Sequence, residues 1–106
     1  MRLAGKVAVI TGAGSGIGRA AAFAVRSGRC GRRGGSLRAR RPEPLPPTIM
    51  AAPSDVTRDE DTARLFGATV DRYGTLDILV NNAGIELPGT VTETTDEHWQ
   101  RLIDVN

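Results

Sequence analysis

Apolar residues fall in short clusters separated by polar and glycine-rich stretches, and each cluster has a period that suggests an element. Val7–Ile10 is a run of four apolar residues dominated by β-branched side chains. That is too short for a lone helix and suits a buried strand. Glycines follow at positions 12, 14, 16 and 18, and then an alanine-rich segment begins. There Ile17, Ala20, Ala21, Ala24 and Val25 recur at i, i+3, i+4, i+7 and i+8, which predicts a helix from about Gly16 to Ser27 with one apolar face.

The pattern breaks between Gly28 and Pro47, where glycine, arginine and proline dominate without helical or strand periodicity; this predicts loop or disorder over 28–47. Thr48–Ala52 is a short apolar piece that predicts a strand ahead of Pro53. Thr57 and Glu60 have capping-box spacing, so a second helix should follow, bury Ala63, Phe66, Val70 and Tyr73, and stop at Gly74. Leu76–Val80 reads as another buried strand. Thr94 and Glu97 repeat the capping spacing ahead of a third helix carrying Trp99, Leu102 and Ile103; Trp99 and Phe66 are expected in the core. Strand–helix alternation of this kind predicts an α/β fold with a parallel sheet.

Composition narrows the chemistry. At 106 residues the chain holds at most one small domain. Its net charge of +2 is uneven: Gly28–Ser54 contains six arginines and one acid, Glu43, for +5, leaving −3 elsewhere. Cys30 and His98 are the only residues of their kinds, so no internal disulfide is possible, no metal site is expected, and His98 reads as a solvated surface residue. The first residues lack the roughly 7–15 apolar positions of a secretory signal and the roughly 20 of a membrane span, so a cytoplasmic protein away from membranes is expected.

The glycine turn joins a strand to a helix, where glycine lets a ligand approach the main chain and the free helix N–H groups attract phosphate. G-x-G-x-x-G does not fit; the spacing present is Thr11-Gly12-x-x-x-Gly16-Ile17-Gly18. To this the chain adds Asp55-Val56 ahead of a helix, Leu76-Asp-Ile-Leu-Val-Asn-Asn-Ala-Gly84, and Trp99 leading to Ile103-Asp-Val-Asn106. Together these resemble the amino-terminal half of a short-chain dehydrogenase/reductase, over about residues 3–27 and 48–106.

The resemblance implies a Rossmann-type parallel sheet with flanking helices, binding NAD or NADP for hydride transfer between nicotinamide and an alcohol or carbonyl substrate. It implies that Gly12, Ser15, Gly16, Ile17 and Gly18 surround the pyrophosphate. Asp55 would accept from the adenine amino group while the Val56 amide meets the ring. Asn82, Ala83 and Gly84 would line the adenosine ribose and the middle of the cofactor. Asn106 matches the family's active-site asparagine, which helps hold a proton-relay water; as the last residue it is expected to fray and contribute nothing catalytic here. The family is usually homo-oligomeric.

Two departures qualify this. The only tyrosine is Tyr73, with Asp77 four positions on, and the only lysine is Lys6, so the family's catalytic Tyr-x-x-x-Lys is not written in these residues. The chain alone is therefore expected to bind a nucleotide at most, as an incomplete domain lacking carboxy-terminal strands. The second departure is the stretch 28–47, which stands where the family's second strand lies. Two alternatives attach to it. One is translation in a shifted frame, testable by reading the encoding DNA in its other two frames for an alternating apolar strand. The other is a non-enzymatic product whose arginine-rich loop binds polyanions such as RNA weakly and salt-sensitively, although the segment has no aromatic residue for base stacking and nucleic acid is not the expected partner.

Overall fold

The computed structural model describes residues 3–27 and 49–106. The expectations placed on 28–47, including loop character and polyanion binding, lie outside the described residues.

Among the described residues two strands form a sheet. β1 (Ala8–Ile10) and β2 (Ile78–Val80) pair in parallel, with Ala8 opposite Ile78, Val9 opposite Leu79 and Ile10 opposite Val80. The ladder extends past both ends: Asp77 and Ile78 amides donate to the Val7 carbonyl, and the Thr11 amide donates to the Val80 carbonyl, all at 3.0 Å. β1 feeds α1 (Gly16–Ser27), whose bounds match the periodicity, and α1 packs against β1. Of the expected inward face, Ala20, Ala21, Ala24 and Val25 are half-buried and only Ile17 departs. Gly18 is buried and Ile17 is 82% exposed, because Gly18 has to fit against Gly12, and Ile17 lies about 100° further round the helix.

α2 (Asp59–Tyr73) begins with three acids, Asp59, Glu60 and Asp61, which favour the positive helix end, and stops at Gly74 (φ 79°), whose amide donates to the Val70 carbonyl at 2.7 Å. The Thr57–Glu60 capping box does not form. Thr57 gives both its amide and its hydroxyl to Asp55, Glu60 pairs with Arg58, and Arg58 is the N-cap without a side-chain bond. Nor do Ala63 and Val70 face inward; both are exposed, and the covered side runs through Leu65, Phe66, Thr69 and Tyr73. Thr69 is buried because its hydroxyl donates back to the Leu65 carbonyl at 2.7 Å, so it brings no unpaired polar atom inside.

α3 (Asp96–Val105) is capped one residue later than expected. Thr95 accepts from the His98 amide at 3.2 Å, while Thr94 donates to the Thr90 carbonyl, so Thr94–Glu97 is not a capping box. Trp99 is 61% exposed and not a core residue; Leu102 and Val105 are the half-buried side of this helix, and His98 is exposed as expected.

The strand expected at 48–52 is absent over 49–52. In the family's order 3-2-1-4 it would pair with a second strand, whose place in the chain is taken by 28–47, and no described residue provides a ladder for it. Among the described residues Val9 is the one buried apolar side chain, and no helix is long and apolar enough to cross a membrane.

Candidate functional site

The glycines of the turn do two different jobs. Gly12 has a left-handed φ of 65°, and a Cβ there would lie 2.9 Å from the Ala83 Cα. A Cβ on Gly18 would meet the Asn82 side-chain nitrogen and, at 2.5 Å, the Gly12 carbonyl oxygen. These two glycines let the turn, α1 and the end of β2 close on one another. Gly14 and Gly16 instead look onto open space, where a Cβ would find no heavy atom within 4 Å. The first turn of α1 carries no acid, so its positive end and free amides are uncompensated beside that opening.

Thr11 ties the turn to the second strand. Its hydroxyl oxygen accepts from the Asn82 and Ala83 amides, each at 3.0 Å, and donates to the Val80 carbonyl at 3.4 Å. Asn82 returns its side-chain amide to the Thr11 and Gly12 carbonyls at 3.1 and 3.4 Å. Asn82, Ala83 and Gly12 are thus brought together. The sequence does not single out Thr11 for this role; its position between an apolar run and the first glycine is the available signal.

Gly84 continues the wall, and a Cβ on it would lie 3.1 Å from the Asn106 Oδ1 atom. Asn106 is not frayed. Its Oδ1 accepts from the Ile85 amide at 2.9 Å, its Nδ2 donates to the Ile85 carbonyl at 3.1 Å, and its own amide closes the helix on Leu102 at 3.0 Å. The paired amide bonds to Ile85 dock the end of α3 on the segment after β2.

Asp55 and Val56 lie on a cleft of about 680 Å³ shared with Ile85, Arg101, Asp104 and Val105. The Asp55 Oδ1 accepts from the Thr57 hydroxyl at 2.7 Å and the Thr57 amide at 2.9 Å, leaving Oδ2 without a partner among the described residues. Those bonds hold its carboxyl below the usual carboxylate value, and the charges of Arg58 and Arg101 add to this. The Asp55 amide is fixed by Asp61 at 2.9 Å. Gly12, Ala13 and Gly14 line a separate open groove of about 1100 Å³, and Ser54 borders both spaces. Ile85, Arg101 and Val105 are lining residues that the sequence does not announce, since nothing local pairs them with Asp55. Among the described residues no cluster of three His, Cys, Asp or Glu side chains has metal-binding geometry.

A parallel strand pair with a glycine turn running into a helix is the pattern of an incomplete Rossmann-type α/β fold. A family model described as short chain dehydrogenase matches residues 6–106. An uncharacterized oxidoreductase of Staphylococcus saprophyticus is 36% identical over 114 residues, covering all of this chain and 49% of the relative. A farnesol dehydrogenase of Aedes aegypti is 41% identical over 92 residues, covering 79% of this chain and 38% of the relative. The ligand-free aldohexose dehydrogenase of Thermoplasma acidophilum superposes with a TM-score of 0.70 at 30% identity, over 98% of this chain and 39% of that one. The chain belongs to the short-chain dehydrogenase family, and it spans about half or less of the length of these relatives.

Proposed function

We propose that these residues form the dinucleotide-binding part of an NAD(P)-dependent oxidoreductase. The observation that carries the reading is the division among the glycines: Gly12 and Gly18 are closed on neighbouring atoms, while Gly14 and Gly16 remain open at an uncompensated helix start. Only the second pair has room for a pyrophosphate, which the Ile17 amide and Ser15 would help to hold. Asp55, through its free Oδ2, and the Val56 amide would take the adenine edge, with Ile85 and Val105 as apolar walls. Asn82, Ala83 and Gly84 would flank the ribose and the cofactor's centre.

When bound, the nicotinamide supplies or accepts hydride; the protein's part is to orient it and to manage the proton. Asn106 would act here as a positioning residue, because both ends of its amide are committed to Ile85. The proton donor expected of the family, Tyr-x-x-x-Lys, is not among these residues, and general acid–base help is worth about 10²–10⁴-fold. The 106-residue chain should therefore bind dinucleotide without turning over an alcohol or ketone. Titration with NADH and NADPH, followed by ligand fluorescence, tests this. Saturable binding displaced by AMP is the expected result, and binding of RNA alone, lost with salt, would replace the reading.

A further inference from the structure

We propose that Thr57 and Asp61 are positioning residues that make the cleft select adenine over hypoxanthine, by clamping Asp55 from two sides; this rests on the dinucleotide reading above. On the side chain, Asp55 Oδ1 accepts from the Thr57 hydroxyl at 2.7 Å and from the Thr57 amide at 2.9 Å, so the carboxylate cannot turn without losing both bonds. On the backbone, the Asp55 amide donates to Asp61 Oδ2 at 2.9 Å. Asp61 belongs to the first turn of α2, and Arg64, three residues on, donates to its other oxygen at 2.9 Å. The Asp61 side chain is 15% exposed, so the strut is seated against the helix that carries it.

The clamp leaves over a pair of unlike groups on consecutive residues. Among the described residues Asp55 Oδ2 accepts no hydrogen bond and the Val56 amide donates none, and both residues line the cleft. Arg101 lines it too but forms no ion pair with Asp55, so the protein does not satisfy Oδ2 from the opposite wall. An acceptor beside a donor complements adenine, whose amino group donates and whose ring N1 accepts. Hypoxanthine carries a carbonyl in place of the amino group and a proton on N1, so both contacts become like against like. That distinction holds only while the carboxylate is kept against the base. Once released it turns into the open cleft, where bridging water serves either base.

The test compares NADH with its hypoxanthine analogue, and AMP with IMP as competitors, on the full chain and on Thr57→Val, Thr57→Ser and Asp61→Ala, with circular dichroism of each. The unsubstituted chain should prefer NADH by about tenfold or more, the range for a mispaired group facing a charge. Thr57→Val removes the hydroxyl at nearly constant volume and should cut that preference by about three- to tenfold, the range of one lost hydrogen bond. Thr57→Ser keeps the hydroxyl and should hold the preference, while Asp61→Ala frees the Asp55 amide and should lower it. Structural damage alone would weaken both dinucleotides alike and leave their ratio unmoved. An unmoved ratio in Thr57→Val, or equal binding of the two dinucleotides by the unsubstituted chain, overturns the assignment while the dinucleotide site stands. If Asp61→Ala loses helix, the Thr57 pair decides alone. Binding of neither dinucleotide by the unsubstituted chain overturns both.

Discussion

At the scale of single residues, the glycine turn makes a sharp contrast testable. Gly12→Ala places a Cβ in a left-handed position, which costs about 1–2 kcal/mol, and drives it into the Ala83 backbone, which costs about 1–3 kcal/mol more. Gly14→Ala meets nothing, so its stability should change by under about 0.5 kcal/mol. Denaturant midpoints should therefore fall clearly for the first variant and hardly move for the second, while dinucleotide titration should show weaker binding for both. Equal stability losses would mean that the two glycines do not differ in role. The need for small residues here was legible in the spacing from Thr11 to Gly18, but the assignment of each glycine was not. It depends on Asn82 and Ala83, about seventy positions away, and on how their amides meet the Thr11 hydroxyl.

At the scale of elements, periodicity located the helices well, and the caps of α2 and α3 poorly. α1 and the stop of α2 at Gly74 follow from local chemistry, because an alanine-rich run and a left-handed glycine need no distant partner. The N-termini depend on which of several adjacent hydroxyls and carboxylates pair first. Asp55 captures Thr57, and Thr90 captures Thr94, so both expected caps were lost to neighbours. Thr95→Ala should accordingly cost about 1 kcal/mol of stability, and Thr94→Ala less, by thermal or denaturant unfolding; the reverse order would restore Thr94 as the cap. The strand pair has its own electrostatic tie. Asp77 accepts from the Val7 amide at 2.9 Å and from Lys6 at 3.2 Å, and these bonds, the amide first, lower its pKa from the ordinary 3.8. A carboxyl with a depressed folded-state pKa stabilises the fold above its unfolded value and loses that contribution as pH falls through the folded one. The Asp77 contribution is full well above 3.8 and is lost as pH falls below it, so Asp77→Asn should show a shallower acid decline in unfolding midpoint. Asp55, Asp61 and Glu93, all lowered by hydrogen bonds, should leave part of the acid limb in place.

At the scale of the whole molecule, the family motifs sit, among the described residues, on a sheet of two strands with little buried beneath it. The α/β class was legible because its signals are local: β-branched runs, a glycine turn and helical periods. The extent of the sheet was not, since strand pairing depends on what lies alongside. Thr48–Ala52 has the composition of a strand, yet 49–52 forms none without a neighbour among the described residues. The same reasoning applies to β2. It pairs with β1 on one side and has no described partner on the other, and Leu79 at its centre is 46% exposed. Three apolar residues, Ile78-Leu79-Val80, thus present an open edge of the kind that recruits a second chain. Leu79→Lys puts a charge on the exposed face without touching the ladder bonds, which belong to the backbone. In the 106-residue chain this substitution should reduce concentration-dependent light scattering while the far-ultraviolet circular dichroism stays the same. Unchanged scattering would place the association on the other exposed apolar side chains, Trp99 and Ile103 of α3 first among them. Bound dinucleotide should act in the same direction as the lysine, because a ligand at about a hundred times its dissociation constant stabilises the folded state by about 2.7 kcal/mol and draws down the open forms that associate.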